Sequence, residues 1–199
     1  WPKSCLIEIL SREESVSELI LLLPTLKKIV ANNKYIVLLS PPHIPYIPTF
    51  QSFGIKEKFI LVVNTNRVME KLWVIEHSIR CNLFGGLLVW IKEPCTFEKL
   101  RKVQTLAKRS NGLNFIFRPL EAKKKPSPSP LRMTICSDKY PLLKMNIIKR
   151  RGPTKLTPIS IDTSTIFSKK NTSKLKPNYD LDCIPPRNRG RNNILKKNT

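Results

Sequence analysis

Short apolar runs alternate along this chain with segments in which apolar residues recur every three or four positions. The first run, residues 6–10, is followed over residues 17–31 by leucines and valines that fall on one face of a helix, with Lys27 and Lys28 on the other. The same order of strand and helix is repeated until residue 117. Such alternation is typical of repeated β-α units, so the sequence predicts an α/β fold with a mainly parallel sheet flanked by helices.

Five strands and the helices between them are predicted in this part of the chain. The strands are residues 6–10, 35–39, 59–63, 85–91 and 113–117, and the helices are residues 17–31, 49–53, 67–82 and 97–109. The strand at 85–91 is apolar on both faces, which is typical of a central strand in a parallel sheet. Residues 40–48 contain four prolines and predict a rigid loop at the carboxyl edge of the sheet, where such folds usually place binding surfaces.

The composition changes after Arg118. Residues 121–130 are rich in lysine, proline and serine, and predict an extended linker that follows an α/β core of residues 1–120. Two apolar runs within residues 131–152 predict a β-hairpin that completes the sheet. Residues 153–199 are basic and polar without periodicity, and they are predicted to form a disordered tail.

The segment after the first strand lacks the residues of a nucleotide-binding loop. A Walker loop uses two glycines whose backbone N–H groups close on phosphate oxygens, a lysine for the β- and γ-phosphates, and a hydroxyl for Mg²⁺. Here the two glycine positions hold Ser11 and Val16. The lysine position holds Ser17, and the hydroxyl position holds Glu18. The sequence therefore predicts an ATPase-like scaffold that binds no nucleotide.

No constellation of catalytic or metal-binding residues can be read from the sequence. The fourth strand ends in Trp90 and Ile91, whereas the corresponding strand of a working ATPase ends in an acidic residue for magnesium. His43 and His77 lie far apart, and the five cysteines form no C-x-x-C pair. A Gly-x-Ser-x-Gly elbow is also missing from the sequence. We expect a protein that is not an enzyme and uses no metal or cofactor.

The chain is strongly basic, with a formal net charge of +22 and an isoelectric point of about 10.1. Such a charge draws a protein toward polyanions, and nucleic acid is the first partner class to consider. A lysine-rich composition along the whole chain is an alternative explanation, because charge alone specifies neither a site nor a fold. No apolar run approaches the roughly 20 residues of a membrane span, and no signal-peptide pattern is present, so we expect a cytoplasmic protein with no membrane partner.

A series of short motifs follows a characteristic order over residues 1–152. They are Trp1-Pro2 before the first strand, Leu21-Leu22-Leu23-Pro24, Pro41-Pro42-His43-Ile44-Pro45-Tyr46, Leu72-Trp73 with Glu76, Trp90 in the fourth strand, Phe115-Ile116-Phe117-Arg118-Pro119, Pro126-Ser127-Pro128, and Ile148-Lys149-Arg150-Arg151-Gly152. Together these motifs resemble the ImuA/SulA family of SOS-response proteins, and ImuA more than SulA. The resemblance implies a RecA-like α/β domain without a working ATP site.

The same resemblance implies a non-catalytic accessory protein in damage-induced, error-prone translesion DNA synthesis. Its expected partners are the RecA recombinase, ImuB, which is an inactive relative of Y-family polymerases, and an error-prone polymerase. Acting with them would place the protein at the nucleoid. SulA relatives instead bind FtsZ and inhibit cell division while DNA damage persists, so FtsZ binding is the alternative function.

The proline-rich loop after the second strand is the first candidate surface. His43, Ile44, Tyr46 and Phe50 lie at the predicted carboxyl edge and could form a pocket for a protein partner. The alternative is that these side chains simply pack over the sheet.

The basic residues Lys149, Arg150 and Arg151 form the second candidate surface. If the chain acts like ImuA, this cluster and the tail beyond it would reach RecA or DNA. The alternative is a solubilising, disordered end. Direct phosphate contacts would make binding weaken steeply with salt, because each neutralised phosphate releases counterions.

Overall fold

The computed structural model describes residues 1–12, 17–81, 83–137, 141–153 and 157–168. In chain order its strands are β1 (Leu6–Ser11), β2 (Tyr35–Leu39), β3 (Ile60–Val63), β4 (Phe84–Trp90), β5 (Leu113–Pro119), β6 (Leu131–Ser137), β7 (Leu142–Lys149) and β8 (Ile159–Asp162). Its helices are α1 (Ser17–Ala31), α2 (Ile47–Ser52), α3 (Val68–Arg80), α4 (Phe97–Ala107) and α5 (Ser164–Ser168), with short 3-10 helices at Glu57–Phe59 and Leu120–Lys124. The strands and helices predicted up to residue 117 are all present.

The described strands form one sheet in the order β3-β2-β4-β5-β1-β6-β7-β8. The first six strands of this order pair in parallel, whereas β7 and β8 are antiparallel to their neighbours. The prediction of a mainly parallel sheet flanked by helices is therefore confirmed. Because parallel strands share a direction, their carboxyl ends meet at one edge of the sheet. Because β1 lies between β5 and β6, its carboxyl end lies in the middle of that edge.

Successive positions of the central strands supply two separate cores. In β2, Ile36 and Leu38 belong to a core with residues of α1 and α2, whereas Val37 and Leu39 belong to a core with residues of α3 and α4. Both faces of these strands are buried, which explains why they read as continuous apolar runs. Exposed functional side chains are therefore expected at the strand ends. Among the described residues, no helix combines the length and apolar character that crossing a bilayer requires.

The loop after β2 is held at both ends. Ser40 has a positive φ of 51°, and its hydroxyl donates to the carbonyl of Thr65 at 2.8 Å. Helix α2 then begins at Ile47, earlier than the predicted residue 49. Pro48 is tolerated in the first turn, because its missing N–H would have no helical partner there and its fixed φ suits a helix. The proline-rich loop is therefore fixed between a turn and a helix.

Residues 121–130, predicted as an extended linker, are packed against the sheet. Their first part belongs to the 3-10 helix Leu120–Lys124. Ser127 and Ser129 are buried, and Nζ of Lys149 donates to the carbonyl of Ser127 at 2.9 Å. The linker prediction is wrong because the composition of the segment is typical of a spacer. It does not show that side chains of β6 and β7 donate hydrogen bonds to the segment's carbonyls.

The predicted disordered tail, residues 153–199, is also corrected in its first part. Strand β8 pairs with β7, placing Ile159 opposite Met145 and Ile161 opposite Leu143. Ile166 of α5 packs against the core that contains α1. The alternating Ile-Ser-Ile-Asp sequence is a strand pattern that the surrounding basic composition conceals. Residues 154–156 and 169–199 of this tail lie outside the described residues, as do residues 138–140 between β6 and β7.

Candidate functional site

The carboxyl ends of β1, β4 and β5 enclose a small cleft of about 130 Å³. It lies where open α/β sheets usually bind ligands. Its lining consists of Ser11, Arg12, Glu18, Trp90, Ile91, Lys92, Phe117, Arg118 and Pro119. Of the predicted degenerate loop, Ser11 ends β1, and Glu18 is buried in the first turn of α1, where a carboxylate repels phosphate. Val16 and the side chain of Ser17 lie outside the described residues.

Two stacked aromatic rings form part of the wall of this cleft. The ring centroids of Trp90 and Phe117 lie 4.5 Å apart, with an angle of 14° between the planes. Both side chains are buried. Trp90 stands at the end of β4, the position of the magnesium-binding carboxylate in a working ATPase, and an indole ring offers a divalent cation no oxygen ligand. In the part of the chain that the structure describes, no three His, Cys, Asp or Glu side chains are grouped to hold a metal ion.

A buried carboxylate lies between two arginines close to the cleft. Glu8, in the middle of β1, is fully buried, and its Oε1 accepts a hydrogen bond of 2.8 Å from Arg118 of β5. Its Oε2 lies 2.9 Å from Nε of Arg132 on β6. The position of β1 between β5 and β6 brings these three side chains together. Sequence reasoning missed this cluster, although a glutamate inside an apolar run is the signal that could have revealed it.

Arg132 also anchors the segment that follows β5. Its Nη1 donates to the carbonyls of Lys123 and Lys125 at 3.3 and 3.0 Å, and its Nη2 donates to the carbonyl of Ala122. Guanidinium groups suit this role because they present several donors in one plane. The buried cluster therefore joins three strands and the 3-10 helix after β5.

A buried lysine also lies beside the cleft. Lys71 of α3 is 3% exposed, and its Nζ donates to both carboxylate oxygens of Glu93 at 3.0 and 3.1 Å. It also donates to the carbonyl of Trp90 at 3.2 Å. Burial acts to raise the pKa of Glu93, but hydrogen bonds from the backbone and from Lys71 together outweigh it, so the pKa lies below the usual 4.5. This ion pair fixes the loop after β4 to α3.

The lowered pKa of Glu93 predicts a pH-dependent contribution to stability. A carboxyl group with a lower pKa in the folded state stabilises the fold above its unfolded pKa, and that contribution is lost as the pH falls through the folded pKa. Glu93→Gln is therefore expected to lower the free energy of unfolding at neutral pH. The difference from the parent chain should shrink as the pH falls from about 6 to about 3, measured by urea unfolding at each pH. In a Lys71→Met background the same substitution should have a smaller effect, and an equal effect there would contradict the assigned pairing.

A second surface lies at the same edge, between the proline-rich loop and α1. We call it the proline-loop groove; it encloses about 120 Å³ and is lined by Leu19, Ile20, Leu23, Pro41, Pro42, His43, Ile44, Pro45, Tyr46, Thr49, Phe50 and Trp90. Ile44 is 95% exposed and Tyr46 is 71% exposed, and His43 is also exposed at the same rim. The predicted partner-binding residues are therefore brought together around one apolar groove.

Phe50 differs from the other three predicted residues. It lies on α2 rather than on the loop, is 3% exposed, and belongs to the core that contains α1. The interpretation that the loop residues simply pack over the sheet is thus right for Phe50. Ile44 and Tyr46 are instead left exposed, which makes them the residues of this set that a partner can contact.

The predicted basic cluster is divided between two roles. Lys149 ends β7 and is bound to the carbonyl of Ser127. Arg150 and Arg151 are exposed and line a pocket at the amino edge of the sheet, where β1 and β6 begin. The proline-loop groove and the two arginines therefore form separate surfaces at opposite edges of the sheet.

Comparison with known proteins gives similarities to solved structures. No family model matches the chain, and no curated protein matches it either. Among solved structures, SulA from Pseudomonas aeruginosa aligns with 59% of this chain and 99% of its own, at 18% sequence identity and a TM-score of 0.46. A similarity of this extent identifies neither the family nor the function of the chain.

An exposed apolar stripe on α3 was not predicted as a surface. Met69 is 68% exposed and Trp73 is 60% exposed, and the ring of His77 lies 3.8 Å from that of Trp73 between centroids. These residues recur every four positions, on the face of α3 opposite the buried Lys71 and Ile75. Helical spacing alone could have found this stripe, because it places an aromatic and a methionine on the polar side of the helix.

Proposed function

We propose that this chain is a RecA-like, nucleotide-independent adaptor of the SOS response. In this proposal it supports error-prone translesion DNA synthesis by binding the RecA recombinase and an ImuB-type partner, and it acts at the nucleoid. The observation that carries the adaptor role is the carboxyl edge of the sheet. Buried aromatic and charged side chains line its small central cleft, and an apolar groove with exposed Ile44 and Tyr46 lies next to it.

The strand order supports the RecA-like part of the proposal. It places β1 inside the parallel sheet, so the carboxyl end of β1 lies at the edge where a nucleotide loop would follow it. At that place the buried Glu18 and the Trp90–Phe117 stack replace the phosphate-binding and magnesium-binding groups of an ATPase. We infer that the scaffold is used for binding rather than for catalysis.

The motifs shared with the ImuA/SulA family support the link to the SOS response, and they leave FtsZ as the alternative partner. Both functions need an exposed surface for the partner, and a few well-packed, desolvated side chains near the centre of an interface carry most of its binding energy. The proline-loop groove meets that need for either partner. A direct comparison of partners is therefore the decisive experiment.

The test is a side-by-side capture of RecA, ImuB and FtsZ by the purified chain at physiological salt, with and without Mg-ATP. We expect capture of RecA or ImuB, independent of Mg-ATP and without FtsZ. An unrelated acidic protein is the control for attraction by the +22 charge alone. Capture of FtsZ alone would replace the proposal with division inhibition, and capture no greater than that of the control would overturn both.

The contribution of the basic tail needs a variant that leaves the sheet intact. A chain ending at Gly152 would lack β8, which pairs with β7. A chain ending at Ser168 keeps β8 and α5 and removes residues 169–199. If the tail contacts DNA, this variant should lose the salt-sensitive part of DNA binding, because fewer phosphates are neutralised.

A further inference from the structure

A pocket of about 530 Å³ lies at the amino edge of the sheet, away from the proline-loop groove. We call it the amino-edge pocket. Its floor is formed by Leu131 and Met133 of β6 and by Met145 and Ile147 of β7, and the N-terminal segment forms one wall. Its volume lies within the range of roughly 300–1,000 Å³ that is typical of ligand sites. The pocket is therefore large enough to hold a bulky apolar group.

The wall of the pocket is fixed before any ligand binds. The ring of Trp1 packs edge-on against Phe115, with centroids 5.2 Å apart, and its Nε1 donates to Oγ1 of Thr25 at 3.0 Å. Ser4 adopts a positive φ of 56°, and its hydroxyl donates to the carbonyl of Ser110 at 3.0 Å. A preformed wall lowers the entropy that binding costs.

The rim of the pocket is positively charged. Lys3, Arg150 and Arg151 belong to its lining, which includes no Asp or Glu. Among the described residues, neither arginine forms an ion pair with a carboxylate, and both are exposed. The positive charge of the rim also acts on Cys5 in the pocket lining. Burial raises the pKa of the Cys5 thiol, and the charge of Arg151 opposes that rise. Apolar walls beneath exposed guanidinium groups suit a ligand that is apolar at one end and anionic at the other.

We propose that the amino-edge pocket binds an acidic peptide segment of a partner protein. A bulky apolar side chain of that segment lies against Met133 and Met145, and its neighbouring carboxylates pair with Arg150 and Arg151. Methionines suit this role because their flexible thioethers adapt to different apolar groups. This inference deepens the adaptor role and rests on it only in requiring a protein partner.

Charge excludes other occupants of the pocket. Residues 169–199 of this chain carry nine lysines and arginines against two aspartates, so the arginines would repel them. A second copy of the chain brings a net charge of +22 to the same surface. Nucleic acid has the right charge, but the aliphatic and thioether floor offers no hydrogen-bonding groups to base edges. An acidic apolar peptide is complementary to both the rim and the floor.

The test is fluorescence anisotropy with the full chain and a labelled peptide, Glu-Asp-Phe-Leu-Glu-Asp. A second peptide has serines in place of Phe-Leu, and a single-stranded oligothymidylate is the nucleic-acid probe. We expect the first peptide to bind about tenfold or more tightly than the serine peptide, because the apolar anchor supplies most of the binding energy. Equal binding of the two peptides would overturn the proposal, and so would no binding of either.

Two matched variants locate the site. Arg150→Glu/Arg151→Glu should weaken binding of the first peptide about tenfold or more, since it places like charges against the ligand. Arg101→Glu/Lys102→Glu changes the net charge by the same amount, but on the exposed face of α4. It should weaken peptide binding only slightly, because solvent and salt screen charges that are distant from the pocket. Equal losses in the two variants would show attraction by overall charge and overturn the proposal. Thermal unfolding of each variant separates lost binding from lost folding.

The nucleic-acid probe gives a separate outcome. If the oligothymidylate binds more tightly than the peptide and the arginine variant abolishes its binding, the pocket is a nucleic-acid site and the proposal is wrong. The peptide result is independent of the capture experiment with RecA, ImuB and FtsZ. Peptide binding without capture of those proteins would retain the pocket and reject the proposed function, whereas capture without peptide binding would do the reverse.

Discussion

Glu8→Gln is expected to lower the free energy of unfolding by about 3–5 kcal/mol, the cost typical of breaking a buried ion pair by removing one partner. Glu8 is fully buried, and it is the carboxylate that both Arg118 and Arg132 contact. Glutamine keeps the shape and one acceptor but removes the charge. Two guanidinium groups would then remain buried near each other without a counter-ion, and their mutual repulsion adds to the loss. Urea unfolding followed by circular dichroism measures the change.

A surface pair provides the matched control for this prediction. Glu76 contacts Arg80 at 2.6 Å on the exposed side of α3. Glu76→Gln removes the same charge, but solvent screens exposed pairs, so its expected cost is at most about 1 kcal/mol. A similar, small cost for both substitutions would show that Glu8 does not hold the two arginines together. The contrast tests burial itself, since the chemistry of the two substitutions is identical.

The fold could be predicted where one local pattern decided the structure. The alternation of apolar strand segments and amphipathic helices up to residue 117 specifies the order of elements. The apolar positions within each segment show which of its faces are buried. Strand β8 was missed because its four residues have only two apolar positions, Ile159 and Ile161, in a tail that is basic and polar overall. Their strand forms by pairing with Met145 and Leu143 of β7, a partner distant in the sequence. Tertiary pairing of this kind leaves little local signal.

The candidate sites show the same limit. Spacing could place His43, Ile44 and Tyr46 at the carboxyl edge, because that position follows from the end of β2. It could not tell that Phe50 turns into the core, since the direction of a side chain depends on how α2 packs. The cluster of Glu8, Arg118 and Arg132 depends on which strands flank β1, and strand order is a property of the whole sheet. Charged residues that look unrelated in the sequence are therefore the hardest to assign.

Ile44→Glu is expected to weaken capture of the protein partner by about 30-fold or more, as for a residue at the centre of an interface. Ile44 is 95% exposed, so the substitution removes almost no buried area from the fold, and the free energy of unfolding should change by less than about 0.5 kcal/mol. In a complex the same side chain would be desolvated against the partner. A buried, unpaired carboxylate at that position costs free energy that an exposed one does not. Quantitative capture of RecA or ImuB, with urea unfolding of the same samples, measures both effects.

Leu83→Glu is the control that distinguishes damage to the proline-loop groove from a change in the net charge of the chain. Leu83 is an exposed apolar residue that directly precedes β4, at the opposite edge of the sheet, and its substitution changes the net charge by the same amount. Its expected effect on capture is small. If both variants lose the partner equally, the partner responds to the overall positive charge, and the proline-loop groove is not its binding site. If only Ile44→Glu loses it, binding depends on the loop that the fixed turn at Ser40 and the helix α2 hold in place.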